Sequence, residues 1–171
     1  MTPGAEPVRT DTFIQDGNAV YADDGDRVSV TWFADGSPVV TAAEIPTEKI
    51  EPADGVSPMS IQGCTYSSGS GYANAVGCTI SGWWGTVQMA FLADYTTVQG
   101  GPDHIVDTYN GWQQCVIPTT CSRPSEIQSK YYENSTPAYS RWASTVTAPW
   151  GSWEVWMQLN VGGDSGWSTS S

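Results

Sequence analysis

A regular alternation of apolar and polar residues near the end of the chain constrains the fold most strongly. Within residues 153–161 every odd-numbered position is apolar, as in Val155, Met157 and Leu159. Successive side chains of a strand point to opposite faces, so this pattern predicts a β-strand with one buried face. The same alternation recurs in residues 27–33 and 86–95. The sequence therefore predicts half-buried strands of the kind that antiparallel sheets contain.

Weaker strand patterns and turn residues extend this prediction to most of the chain. Roughly nine short strands at a spacing of about ten residues favour an all-β fold, an antiparallel β-sandwich, with a jelly roll or a small barrel as alternatives. Asn110-Gly111 is the pair most typical of a two-residue hairpin turn. Residues 124–132 have helical spacing, so we expect at most one short helix there. The weaker strand candidates are residues 19–22, 38–41, 59–64, 76–81, 104–109, 113–117 and 139–147.

The chain length indicates a single domain. The 171 residues suffice for one hydrophobic core. The first residues are polar and contain two prolines, at positions 3 and 7. We therefore expect a flexible N-terminal leader over residues 1–17 and one β domain over residues 18–171.

The four cysteines, Cys64, Cys78, Cys115 and Cys121, predict disulfide bonds. Their spacing differs from that of zinc sites, and the single histidine is too few for mixed zinc ligation. Of the three possible connectivities we favour Cys64 with Cys78 and Cys115 with Cys121, because each pair brackets a loop that contains Gly or Pro. Each local bond is expected to stabilise the fold by roughly 2–3 kcal/mol.

Charge and composition exclude two kinds of partner. Eighteen acidic residues oppose six Lys and Arg, a net charge of −12, which disfavours binding to nucleic acids and to anionic membranes. No segment approaches the roughly 18–20 consecutive apolar residues of a membrane span, so we expect no membrane insertion. Disulfides and low lysine content favour a secreted, extracellular protein, and the composition resembles that of secreted bacterial proteins. No motif calls for a cofactor.

Two sets of residues are candidates for hydrolysis. Glu154 and Asp94 lie on the polar faces of the strongest strands, and a facing carboxylate pair is what glycoside hydrolysis needs. His104 has Asp103 before it and Asp107 after it, which supplies a base and an orienting carboxylate. A small secreted hydrolase with paired carboxylates is therefore one alternative function.

Two further short patterns are weaker. Asp23, Asp24 and Asp26 surround a glycine in a turn, which makes them a weak Ca²⁺ candidate. The string at residues 163–166, Gly-Asp-Ser-Gly, resembles the sequence around the nucleophile of trypsin-like serine proteases. Because its serine lies six residues from the end of the sequence, we interpret this match as chance.

The aromatic residues are the main candidates for ligand binding. The chain has nine Trp and eight Tyr, and residues 55–93 carry no charged side chain. Adjacent Trp83 and Trp84 must point to opposite faces of an extended chain, and Trp156 points away from Val155. Exposed rings of this kind anchor protein interfaces and stack on sugars. The candidate binding residues are Trp83, Trp84, Trp156, Tyr66 and Tyr72.

The sequence thus favours a secreted, non-catalytic binding module that engages an extracellular protein or a glycan. Besides the hydrolase, an inhibitor or a toxin-associated subunit of a secreted assembly is a second alternative. A glycan binder is expected to set two or three aromatic rings along one face, whereas an assembly subunit is expected to expose an apolar patch or an edge strand.

Overall fold

The structure, a computed structural model, describes residues 6–17, 19, 22, 23, 25–48 and 63–170. Over these ranges the chain forms thirteen β-strands and no helix. The strands are β1 (Pro7–Ile14), β2 (Arg27–Phe33), β3 (Pro38–Ala43), β4 (Thr47–Glu48), β5 (Thr65–Gly69), β6 (Tyr72–Trp83), β7 (Val87–Val98), β8 (His104–Cys115), β9 (Thr120–Cys121), β10 (Ser125–Lys130), β11 (Ala138–Ala148), β12 (Gly151–Gly162) and β13 (Ser165–Ser170).

The first sheet contains the eight strands β1 to β8, with β6 at its centre. Residues 72–76 of β6 pair with β5, whereas residues 80–83 pair with β3. β7 lies along the other side of β6, and β8 follows β7. The order from β1 inward is β1, β2, β3, β6, and every pair is antiparallel except β4 with β5. Strands that are far apart in the sequence, such as β3 and β6, are thus neighbours in this sheet.

The second sheet contains the remaining five strands, in the order β10, β11, β12, β13, with β9 paired to β11. β11 and β12 pair over their full lengths, from Ala138 opposite Val161 to Ala148 opposite Gly151. All pairs in this sheet are antiparallel. The β11–β12 hairpin is therefore the longest strand pairing in this sheet.

The two sheets pack face to face around one main core, which confirms the predicted antiparallel β-sandwich. Ile80 and Phe91 come from the first sheet, and Trp142, Met157 and Leu159 from the second. The rings of Phe91 and Trp142 stack with their centroids 5.2 Å apart. Stacked aromatic pairs contribute about 0.5–1.5 kcal/mol beyond the area that they bury. The alternating strand singled out in the sequence thus supplies the buried face of β12.

Two smaller clusters lie outside the main core. Val28, Val40 and Ala42 form an apolar patch on the outer face of the first sheet, where Ala22 and Trp83 pack against it. Val87, Val146 and Val155 fill one end of the sandwich beneath Cys115 and Cys121. Both clusters increase the apolar area that folding buries.

The predicted disulfide pairing is confirmed. Cys64 bonds to Cys78, which ties the start of β5 to β6. Cys115 bonds to Cys121, which ties the end of β8 to β9. All four cysteines are thereby used in two local cross-links.

The prediction of a hairpin turn at Asn110-Gly111 is wrong. The two residues form a bulge inside β8, because Ala90 pairs with Trp112 while Leu92 pairs with Tyr109. Asn110 has a φ of 55°, the positive value that a hairpin turn would also require, but here the chain continues as one strand through the bulge. The strands predicted at 104–109 and 113–117 are consequently one strand.

Three further groups of predicted segments have different outcomes. Residues 124–132, where a short helix was allowed, contain strand β10, which pairs with β11. Within the expected leader, Pro7–Ile14 forms β1, whose eight residues are all exposed. The strands expected at 19–22 and 59–64 fall largely on residues outside the described ranges.

Candidate functional site

The structure separates the two candidate catalytic carboxylates. Asp94 Oδ1 accepts hydrogen bonds from the Gly77 amide at 2.7 Å and from the Tyr109 hydroxyl at 3.0 Å. Asp94 alternates with the buried Tyr95, so it projects from the outer face of the first sheet. Glu154 is exposed on the outer face of the second sheet. The sandwich lies between them, which is incompatible with a facing pair.

His104 is likewise remote from a catalytic arrangement. Its ring stacks on Tyr132 with centroids 5.5 Å apart. Asp103 is completely buried and accepts backbone hydrogen bonds from Val98 at 2.7 Å and Asp164 at 2.9 Å. Asp107 Oδ1 accepts the Thr108 amide at 2.8 Å. The neighbouring carboxylates therefore hold the backbone, and in the described contacts neither bonds to the imidazole.

The Gly-Asp-Ser-Gly string is a hairpin turn. Gly162 pairs with Ser165 at the junction of β12 and β13. The two residues between them, Gly163 and Asp164, have φ values of 57° and 61°. Positive φ at both central positions defines a type I′ turn, for which these residue types are favoured. The Gly-Asp-Ser-Gly residues therefore belong to the turn that connects β12 to β13.

Of the calcium candidates, Asp23 and Asp26 lie in the described ranges and Asp24 does not. Asp26 Oδ2 accepts the Asp23 amide at 2.9 Å. Burial raises the pKa of Asp26, and the negative charges of Glu44 and Asp23 add to that rise. Within the described residues no three metal-ligating side chains converge.

The predicted binding aromatics occupy three different regions. Trp83 packs on the outer cluster of the first sheet, and Trp84 packs against the main core. Trp156 lies on the outer face of the second sheet beneath the guanidinium of Arg141, whose carbon is 4.0 Å from the ring centroid. Tyr66 and Tyr72 are together on the β5–β6 hairpin.

Tyr66 and Tyr72 each line a cavity, and the two cavities adjoin. The first, here called the Tyr95 cavity, has a volume of about 230 Å³, and the second, the Tyr72 cavity, about 290 Å³. Both contain Ala73, Thr97 and Asp164 in their walls. Tyr72 is 48% exposed. Tyr66 shares one face of the hairpin with Ala73 and Ala75, whereas the ring of Tyr72 lies beside Gly69 on the other face, so Tyr72 only borders its cavity. The two adjoining cavities together form one groove.

The Tyr95 cavity forms where small residues face the end of the second sheet. Ala73 and Ala75 of β6 supply part of its lining, and the start of β13 supplies another part through Ser165 and Gly166. Alanine at alternate positions leaves space that larger side chains would fill. The other lining residues are Arg27, Ala43, Glu44, Ile45, Pro46, Tyr66, Tyr95, Thr97 and Asp164.

Tyr95 lines this cavity with a largely buried side chain. Its side chain is 6% exposed, and burial raises its pKa to about 12, with the Arg27 charge opposing and the Glu44 charge assisting that rise. Its hydroxyl has no hydrogen-bond partner among the described residues. Among the described residues Ser170 Oγ is the buried side-chain polar atom that lacks a partner, so the Tyr95 hydroxyl is accessible from the cavity and can donate to a ligand.

Arg27 lies beside that hydroxyl. One guanidinium nitrogen, Nη1, donates to the Gly166 carbonyl at 2.7 Å. Within the described residues no carboxylate forms an ion pair with Arg27. A guanidinium carries five N–H groups, so several remain for a ligand.

Glu44 supplies the acceptor in this site. Its Oε1 accepts the Cys64 amide at 2.5 Å, and its Oε2 accepts the Thr79 amide at 3.0 Å. Each carboxylate oxygen has a second lone pair, so the group can accept further hydrogen bonds. The two amides fix the carboxylate at the cavity wall next to the Cys64–Cys78 bond.

A larger cleft lies on the outer face of the first sheet. It has a volume of about 500 Å³ and is lined by Trp112, Gln88 and Thr79 among others. Its opposite wall contains Ala19 and Gly63, which neighbour undescribed residues in the sequence. Because that wall is described only in part, the Tyr95 cavity is the better-defined candidate.

The sequence reasoning found Tyr66 and Tyr72 but missed Tyr95, Arg27 and Glu44. The alternation in residues 86–95 predicts only that Tyr95 lies on the apolar face of a strand. The pattern Arg27-Val28 gives one usable signal, since a basic residue begins an apolar strand in a chain with only six Lys and Arg. Nothing local in the sequence singles out Glu44.

The chain matches no known protein family, no curated protein and no solved structure. None of the described residues belongs to a helix with the length and hydrophobicity that a membrane crossing requires. The functional argument therefore rests on the geometry of the groove.

Proposed function

We propose that this protein is a secreted, non-catalytic carbohydrate-binding module whose site is the Tyr95 cavity together with the adjoining Tyr72 cavity. The observation that carries the proposal is the Tyr95 hydroxyl, which lines the cavity and has no hydrogen-bond partner among the described residues. A ligand oxygen can accept a hydrogen bond from this hydroxyl without displacing a partner within the described part of the chain.

The polar groups around Tyr95 suit sugar hydroxyls, which both donate and accept hydrogen bonds. Tyr95 and Arg27 are donors, and Glu44 is a fixed acceptor. Tyr66 adds an aromatic ring with a polar edge at the same wall. An aromatic surface with a few convergent polar groups is the general form of a small-ligand site.

The size of the two cavities favours a short oligosaccharide. The Tyr95 cavity, at about 230 Å³, is smaller than the roughly 300–1,000 Å³ of sites for drug-sized ligands. It therefore fits one sugar residue. The Tyr72 cavity adjoins it and shares Ala73, Thr97 and Asp164 with it, so it suits the next residue of the same glycan.

The remaining features favour binding over catalysis and an extracellular location. Asp94 and Glu154 lie on opposite outer faces of the sandwich, and both Glu44 oxygens are held by backbone amides. The two disulfides are compatible with an oxidising compartment. An extracellular location is compatible with the proposed glycan ligand.

The test is a glycan array probed with the disulfide-bonded protein, followed by calorimetric titration of the strongest glycan. Tyr95→Phe removes only the hydroxyl, and we expect it to weaken binding about tenfold. Tyr66→Ala is expected to weaken binding further because the stacking surface is lost. Trp150→Ala, at a side chain 71% exposed, is the control and is expected to bind normally.

Two results would overturn the proposal. One is the absence of any glycan ligand. The other is normal affinity in Tyr95→Phe and Tyr66→Ala together with lost affinity in Trp112→Ala, since that pattern assigns binding to the outer cleft. Thermal unfolding of each variant shows whether a loss of affinity reflects a loss of folded protein.

A further inference from the structure

Strand β1 leaves one edge of the first sheet open. In the described part of the chain it pairs only with β2. All eight of its residues, Pro7–Ile14, are exposed, so neither of its faces is covered by the rest of the domain. An open edge presents unpaired backbone N–H and C=O groups, which can pair with another strand.

The hydrogen bonds at the end of β1 show which backbone groups face outward. The Gln15 amide donates to the Asp26 carbonyl at 2.8 Å, and the Gln15 carbonyl accepts the Gly25 amide at 2.9 Å. The backbone N–H and C=O groups of successive residues in an antiparallel strand point alternately to the two sides. The N–H and C=O of Asp11, an even number of residues from Gln15, therefore also point toward β2. Thr10 and Thr12 therefore direct their N–H and C=O groups to the open edge.

The two charged side chains of β1 flank Thr10. Arg9 and Asp11 form an ion pair at 2.7 Å, and their side chains are 65% and 48% exposed. Both lie on the same face of the strand, because they are two residues apart. Opposite charges thus stand on either side of an outward-facing residue.

We propose that β1 pairs with β1 of a second copy of this chain, antiparallel about a two-fold axis at Thr10. Thr10 then exchanges both backbone hydrogen bonds with Thr10 of the second copy. Arg9 lies opposite Asp11 of the second copy, and Asp11 lies opposite its Arg9. The same patch serves both copies, as a closed two-fold dimer requires.

The charges select this register over its neighbours. Sliding one strand by two residues in one direction places Arg9 opposite Arg9 of the second copy. Sliding it in the other direction places Asp11 opposite Asp11. Like charges directly opposite each other destabilise a strand pair, whereas opposite charges stabilise it. The dimer joins the two first sheets into one continuous sheet.

Sedimentation velocity across a concentration series tests this pairing. We expect a concentration-dependent dimer of the full chain. Arg9→Asp and Asp11→Arg each place like charges opposite each other and should weaken dimerisation at least about tenfold. The double variant Arg9→Asp with Asp11→Arg restores opposite charges and should restore the dimer. Glu154→Arg makes the same charge change on the second sheet and should have no effect.

Thr10→Pro provides an independent measurement. The Thr10 amide faces the open edge, so proline there removes both hydrogen bonds that the two copies exchange at Thr10 and none of the β1–β2 ladder. We expect a folded monomer. A wild-type chain that stays monomeric at the highest concentration overturns the proposal, as does a dimer that persists unchanged in Arg9→Asp and Thr10→Pro.

Discussion

The Asp94 carboxylate lies 2.7 Å from the backbone nitrogen of Gly77. Gly77 has a φ of 70° and sits in a bulge of β6, where the pairing with β7 skips from Ala75 to Cys78. The bulge leaves the Gly77 amide without a strand partner, and Asp94 accepts its hydrogen bond. Asp94 therefore supports the irregular backbone next to the Cys64–Cys78 bond.

Replacement of Asp94 is expected to destabilise the fold. Asp94→Ala leaves a part-buried amide unsatisfied, which costs about 1–3 kcal/mol of the free energy of unfolding. Asp94→Asn retains an oxygen acceptor and should cost less. Urea unfolding measures both, and Glu154→Ala on the exposed outer face serves as the control with an expected change within about 0.5 kcal/mol. Equal stability of Asp94→Ala and wild type would contradict this role.

A second prediction concerns Gly111. A Cβ added to Gly111 would overlap the ring of Trp142 and would lie 3.3 Å from the backbone oxygen of Pro124. Trp142 is held in place by its stacking on Phe91, so the contact is not easily relieved. We expect Gly111→Ala to cost about 1–3 kcal/mol of unfolding free energy. The control, Asn110→Gly, keeps the positive φ available and should be nearly neutral, and a neutral Gly111→Ala would disprove the close packing.

Gly111 also shows where reasoning from sequence ends. Asn-Gly is the residue pair of a hairpin turn, and its backbone preference was read correctly, since Asn110 adopts a positive φ. The neighbouring strand and Trp142 convert that local preference into a bulge within β8. Tertiary packing decides whether the pair forms a hairpin turn or a bulge, and the local sequence carries no information about that packing.

The alternating strands and the local disulfides were predictable because each depends on residues close together in the chain. The groove was predictable only in part. Tyr66 and Tyr72 share one hairpin, whereas Arg27 begins β2, Glu44 follows the end of β3 and Tyr95 lies in β7. These three residues meet because β3 pairs with β6 and not with β4, the next strand in the chain. Strand periodicity cannot specify a non-local pairing of this kind.

The raised pKa of Tyr95 predicts a loss of stability at alkaline pH. Burial raises the pKa from 10.0 to about 12 in the folded protein, so the unfolded chain releases this proton first. The contribution is complete below pH 10 and is lost as pH rises toward 12, by about 2–3 kcal/mol at 1.36 kcal/mol per pKa unit. Burial also raises the pKa of Tyr109 and of Tyr131, which act in the same direction.

Comparison with Tyr95→Phe isolates this contribution. Unfolding free energies measured at pH 9 and at pH 11.5 should fall more steeply in wild type than in the variant. The Tyr109 and Tyr131 contributions are common to both proteins and cancel. Identical slopes would show that the Tyr95 hydroxyl ionises at its ordinary pKa, and so that it is not buried as described.

The two disulfides are expected to differ in their effect on the groove. By loop length they are similar, since closing about 15 or about 7 residues stabilises by roughly 3 and 2 kcal/mol. Their surroundings are not similar. Cys64 is 1% exposed, and its amide donates to Glu44 Oε1, whereas Cys115 and Cys121 lie at the opposite end, against Val87 and Val146.

Paired Ala variants separate the two effects. Cys64→Ala with Cys78→Ala should lower the unfolding free energy and also weaken glycan binding, because the Cys64 amide no longer fixes the Glu44 carboxylate. Cys115→Ala with Cys121→Ala should lower stability by a comparable amount and leave affinity unchanged. Calorimetric titration at a temperature where both variants are folded makes the comparison. Equal affinities in the two variants would show that Glu44 does not depend on the Cys64–Cys78 bond for its position.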